Sequence, residues 1–208
     1  MPTREGGHLS LRSARVWGGA QVSSEAANIN SPDRLRLERM PAPGSPSDQK
    51  RDLAILRISP VCLFHKESVL NDTVHWLEQH DYVVHAFDAS RWASAADLHE
   101  SLKKELAFPD YYGRNLNALD ECLGDMDIPA EGRVVLVFRH YDALQRALGS
   151  LAQTVLDIIA GASYRHLANG RRLLALVQSD DPAIGFDPVG KRPVIWNSKE
   201  FLPQNRGT

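Results

Sequence analysis

The side chains best placed to do chemistry lie in one stretch, DYYGRNLNALDECLGDMD, from Asp110 to Asp127. It carries five acids (Asp110, Asp120, Glu121, Asp125, Asp127) against one base, Arg114, with two tyrosines and the amides of Asn115 and Asn117 interleaved. Carboxylates, amide oxygens and aromatic faces are the groups with which a protein surface holds cations. Leu116, Leu119 and Cys122/Leu123 recur at three and four residues, which predicts an amphipathic helix with one stripe toward a core. Arg114, Asn117, Glu121 and Gly124 then share another face, with Asp120 at its edge. Gly113 is expected to relax the backbone ahead of the helix and Asn115 to cap its first amides. Composition alone favours an ordinary solvated acidic face.

The surrounding elements follow from periodicity. Ser94 to Asp97 is a helix start of the Ser-x-x-Asp kind, and Leu98, Leu102 and Leu106 mark a buried stripe that leaves Lys103 and Lys104 in water. VVLVF, around residues 134–138, reads as a buried parallel strand, and the looser pattern RVVLVFRHYDAL carries it onward. A helix from about Ser150 shows Leu148, Leu151, Val155, Ile158 and Ile159, and LLALV closes the set as another strand. Ahead of these, LAILRISPVCLF is strand-like with a proline that suggests an edge or a break. KESVLNDTVHWLEQHDY is a helix with Val69, Leu70, Val74 and Leu77 on one side, and YVVHAFDAS is a strand. Trp76 reads as packing. The tail from Asp180 should be loop with a short strand at VIW, Trp196 anchoring it, and Asp180-Asp181-Pro182 opening a turn instead of forming a catalytic or metal site. Strands alternating with helices predict an α/β fold with a small, mainly parallel sheet packed with helices.

The run DLHESLKKELAFPDYYGRNLNALDECL, Asp97 to Leu123, resembles the first-helix, loop and second-helix segment of the barstar family, whose type member is an intracellular inhibitor of the secreted ribonuclease barnase. The Leu-Lys-Lys-Glu-Leu-Ala core, the proline before the loop, Tyr-Tyr-Gly, Asn-Leu and Ala-Leu before Asp-Glu-Cys-Leu carry the match. A looser likeness extends over roughly Val84 to Asp180. The resemblance implies a barstar-like core at 84–180; the pattern adds an N-terminal β-α element of the same domain at 51–83, and composition makes 1–50 a disordered tail. The pattern leaves 181–208 as a loop and short strand packed on the core. The resemblance also implies a protein inhibitor that plugs a nuclease active site. A ribonuclease holds RNA phosphates with Arg, Lys and His, so carboxylates on a rigid helix take the same positions as phosphate mimics. Tyr111, Gly113 and Asn115 match binding-loop residues of the family. Asn117 and Glu121 fall where the family has two aspartates, Asp120 where it has a tryptophan, and Gly161 near a further glutamate. The implied partner surface is thus Tyr111, Gly113, Asn115, Asn117, Asp120 and Glu121, facing a barnase-like ribonuclease or other nuclease toxin.

Composition bounds the alternatives. At 208 residues and 43% apolar, the chain holds one domain with a real core plus tails. A net charge of −2 argues against direct nucleic-acid binding. Residues 1–50 carry seven bases and five acids, too even a balance for a basic arm. Cys62 and Cys122 provide no disulfide framework and read as reduced thiols. No apolar run reaches membrane-span length and the first residues lack a signal-peptide core, which predicts a cytoplasmic protein without membrane contact, monomeric when free. There is no phosphate-cradling glycine loop, no His-Glu-x-x-His, no Cys-x-x-Cys and no nucleophile elbow, so neither catalysis, a metal nor a cofactor is expected. A barstar-derived regulatory or scaffold module with a non-nuclease partner is the other reading the sequence leaves open, favoured by Asn117 and Gly161.

Overall fold

A computed structural model describes residues 55, 56, 58–129 and 132–201; expectations for residues 1–50 lie outside the described residues. Five strands, β1 (Val61–Phe64), β2 (Tyr82–Asp88), β3 (Arg133–Arg139), β4 (Arg172–Gln178) and β5 (Ile195–Trp196), form one sheet in the order β2-β3-β4-β1-β5. Every strand pairing is parallel. Parallel strands need long connections. Those connections are α1 (Glu67–Glu78), α2 (Ala95–Glu105), α3 (Leu116–Gly124), α4 (Tyr141–Leu148) and α5 (Ser150–Ala168). The chain is an α/β protein of the expected kind.

Both faces of the sheet are covered, and strand alternation divides the core in two. Val134, Leu136 and Phe138 of β3 point to the larger half, which also holds Leu98 and Leu102 of α2, Leu119 and Leu123 of α3 and Val155 and Ile159 of α5. Val135 and Val137 point the other way, onto Val69, Leu70 and Leu77 of α1. Trp76 stacks on His80 with ring centroids 3.8 Å apart, and Trp196 packs half-buried against the larger half.

Two expectations are refined. Of an edge or a break at the proline, the structure has the break: β1 begins after Pro60 and lies inside the sheet between β4 and β5, with Leu63 in register with both Val177 and Trp196. Pro60 stands just before the strand, where its missing N–H costs no ladder bond and its carbonyl accepts from Ala175 N at 2.9 Å. The pattern RVVLVFRHYDAL is strand only as far as Arg139. His140 adopts a left-handed conformation (φ 53°) and turns the chain into α4, which a second positive-φ residue, Gly149 (φ 49°), separates from α5.

Candidate functional site

The loop between α2 and α3 is built by local hydrogen bonds. α2 opens with the expected capping box: Ser94 N donates to Asp97 Oδ2 (2.8 Å) and Asp97 N to Ser94 Oγ (3.3 Å). It closes with Ala107 at φ 50°, and Phe108 N reaches back to the Lys103 carbonyl at 3.0 Å, a Schellman arrangement. Lys103 is not left in water; it is half-buried and 3.4 Å from Asp110 Oδ1. Tyr112 N then donates to the Pro109 carbonyl (3.0 Å) in a tight turn.

That turn separates the two tyrosines. Tyr112 is 5% exposed, packs on Phe108 with ring centroids 5.0 Å apart, and places its hydroxyl 2.6 Å from Nδ1 of the buried His99. Burial and the neighbouring Cys122 push the Tyr112 phenol up to about 12, and burial lowers the His99 pKa, so both stay neutral at physiological pH. With its neighbour anchored, Tyr111 stands 86% exposed.

The helix start differs in one respect. The left-handed residue is Arg114 (φ 50°), held by an ion pair to Glu100 at 2.7 Å, and not Gly113. Gly113 matters for closeness: a Cβ there would lie 2.9 Å from Asn115 Nδ2. Asn115 is the N-cap, its Oδ1 accepting from Ala118 N (2.9 Å) while Nδ2 donates to the Gly113 carbonyl (3.2 Å). Asn115 and Gly113 therefore shape the loop, and Asn115 has both ends of its amide engaged within it.

Leu119 and Leu123 are fully buried, so packing orients the rest of α3. Asn117 and Glu121 are exposed on its outer side. Asp120 is half-exposed at the edge of that side, and its carboxylate receives Nη2 of Arg165, from α5, at 2.7 Å. Among the described residues, no cation pairs with Glu121, Asp125 or Asp127. Asp125 caps the C-terminus of α3 and Asp127 follows it, with no basic residue in the last turn. Acids at the negative end of a helix dipole are unfavourably placed. Asp125 and Asp127 were legible only as members of an acidic run.

These acids line a groove of about 490 Å³ together with Phe108, Met126, Val83 of β2 and the exposed Tyr111. The Cys122 thiol opens on the same groove, but burial, Glu121 and Asp125 all raise its pKa, the reverse of an activated nucleophile. Asp180, at the end of β4, pairs with His140 at 2.8 Å, and Asp181 Oδ1 accepts from Ala183 N (2.8 Å), the turn geometry expected of it. Gly161 lies on α5, one turn before Arg165.

The family model described as Barstar (barnase inhibitor) matches residues 69–178, which takes in α1 from Val69 onward as well as the segment from β2 to β4. A Bacillus subtilis (strain 168) protein named "Putative ribonuclease inhibitor YrdF" is 47% identical over 66 residues, spanning 31% of this chain and 68% of that protein. Among solved structures, a chain of "Structure of Drosophila ORC bound to AT-rich DNA and Cdc6" aligns over 86% of this chain and 67% of its own, at 14% identity. Its TM-score of 0.37 carries no argument for fold or function. The family match covers more than half of the residues and coincides with the sheet, the loop and the acidic helix just described. The chain belongs to the barstar family.

Proposed function

We propose that this protein is a non-catalytic inhibitor of a ribonuclease or related nuclease toxin, acting inside the cell, which blocks the enzyme's cationic active site with α3 and the Tyr-Tyr-Gly loop. The observation that carries this reading is the uncompensated acidity of Glu121, Asp125 and Asp127 at the negative end of α3, beside a tyrosine that is 86% exposed. Among the described residues these three meet no cation, whereas Asp110 and Asp120 of the same stretch do, which supports a role for them toward an external cation. Family membership and the inhibitor name of the Bacillus relative support the same partner class.

The parts divide as follows. Glu121 supplies the central carboxylate, and Asp125 and Asp127 extend it along the groove. Tyr111 supplies a flat face on which a cation or an imidazole of the enzyme stacks. Asn117 offers an uncharged amide, and Asn115 and Gly113 hold the loop in place. Asp120 stays on Arg165. Inhibition is steric, with charge steering the encounter.

The test is a titration of the full chain against barnase while RNA cleavage is followed. Activity should fall stoichiometrically, and the association rate should fall as salt is raised, because steering between exposed charges is screened. A chain that leaves cleavage unchanged at stoichiometric excess sinks the reading for this enzyme. A salt-insensitive association rate would mean an apolar interface.

A further inference from the structure

The unpaired acidity of α3 stops at Asp120, and the reason is Arg165. Its Nη2 donates to Asp120 Oδ1 at 2.7 Å and to the Asp120 carbonyl at 2.9 Å, joining α5 to α3 across 45 residues of sequence. The guanidinium lies over Gly124, where an added Cβ would come within 2.8 Å of Nη2 and 2.9 Å of Nε. On its own helix, Gly161 places no side chain against Nη1, where a Cβ would sit in contact at 3.7 Å. Nη1 makes no hydrogen bond among the described residues, and the side chain is 46% exposed.

We propose that Arg165 is a partner-selecting residue. This rests on the inhibitor reading above. By neutralising Asp120 and turning the Nη1 donors outward, it sets a positive spot beside the negative patch of Glu121, Asp125 and Asp127. The complementary enzyme face is then mixed, with cations opposite the acids and a carboxylate opposite Nη1. A uniformly cationic nuclease face is disfavoured, because one of its cations is brought against a fixed guanidinium. Specificity of this kind comes from a built-in repulsive element as much as from attraction.

The experiment is stopped-flow association of the full chain with barnase at low ionic strength. Arg165→Gln should associate roughly threefold faster and Arg165→Glu roughly tenfold faster, gains that shrink as salt is raised. Asp120→Asn should associate roughly threefold slower, since Arg165 then stands unneutralised. Arg165→Lys should stay near the wild-type rate. Arg139→Gln, which removes the same charge at the carboxyl edge of the sheet beside Glu67 of α1, should give no comparable gain. An Arg165→Gln protein that unfolds at the wild-type temperature but associates no faster overturns the proposal, leaving Arg165 as a structural tie. An equal gain from Arg139→Gln also overturns it, in favour of net charge alone. Should Arg165→Gln fail to fold, Asp120→Asn and Arg165→Lys still decide between the two. No complex with the wild type or any variant, and no loss of RNA cleavage, would remove the inhibitor reading for this enzyme and this inference with it. A wild-type complex without the Arg165 effects removes only this inference.

Discussion

At the carboxyl edge of the sheet, Asp88 meets Arg91, Asp142 meets Arg146 and Asp180 meets His140, at distances of 3.1, 2.6 and 2.8 Å. At the far end of α3, Glu121, Asp125 and Asp127 meet no cation among the described residues. The first cluster occupies the place where open α/β sheets put their ligands, yet its groups are already bonded to one another. Gln178 joins it through Asp180 Oδ1 (2.9 Å) and the His140 amide (2.8 Å), and Asp142 Oδ1 accepts from Asp180 N at 3.1 Å. Satisfied charges tie β3, β4 and α4 together; on the proposed reading, the partners of the unsatisfied ones on α3 come from another molecule. Where a charge's partner comes from separates architecture from contact more reliably than the number of acids.

The comparison is broken or sharpened by substitutions on each side. The largest effect should come from the paired tyrosines, which transfer the same contrast to one turn. Tyr112→Ala removes a buried ring and its bond to His99, and thermal or denaturant unfolding should show a loss of about 3–4 kcal/mol. Tyr111→Ala should leave that unfolding curve unchanged and weaken inhibition alone. Next, Glu121→Lys should weaken inhibition roughly hundredfold, about 3 kcal/mol, through like-charge juxtaposition with the enzyme. Its melting temperature should match the wild type; a large drop would mean that Glu121 belongs with the architectural charges after all.

Asn115→Ala should cost about 1 kcal/mol of stability by uncapping α3, read in the same unfolding assay. A loss of inhibition without any loss of stability would make Asn115 a contact and not a loop-shaping residue. The smallest effect belongs to the carboxyl edge. Its bond to Asp180 raises the His140 pKa, and the bonds from His140 and Gln178 lower that of Asp180. His140's contribution is therefore full below the ordinary histidine value of about 6.5 and fades as pH rises through its raised folded value. Asp180's is present above about 3.9 and is lost as pH falls through its depressed folded value. Asp180→Asn should flatten the gain in stability from pH 8 to about pH 5.5, by no more than about 1 kcal/mol because both groups are partly exposed. Buried His99 acts in the opposite direction: its pKa is lowered, so its contribution is present above about 6.5 and lost on acidification. His99→Gln should isolate the two. An unchanged pH profile in Asp180→Asn would show that the edge cluster is not coupled to folding.

The local features were legible because they depend on spacing within one or two turns. The Leu119/Leu123 stripe, the Asn115 cap and the Ser94/Asp97 box each need only residues within four positions of one another, and all are present as read. So was the family, through the continuous run from Asp97 to Leu123. The turn was legible as a turn, but the residue carrying its positive φ was not. Gly113 was the natural choice, while the ion pair to Glu100 on α2 accompanies that conformation at Arg114.

Sequence by itself determined that there is an α/β domain, that α3 is amphipathic, and that acids crowd its far end. Tertiary structure decided which of those acids remain available. Packing of α5 against α3 brings Arg165 onto Asp120, and nothing within a turn of Asp120 encodes a partner 45 residues away. It also set β1 inside the sheet, because edge or interior is a matter of which strands flank it and not of the strand's own residues. Helix caps and apolar stripes are short-range and repeat with the backbone period; ion pairs between elements and strand order arise only when those elements are brought together by burial.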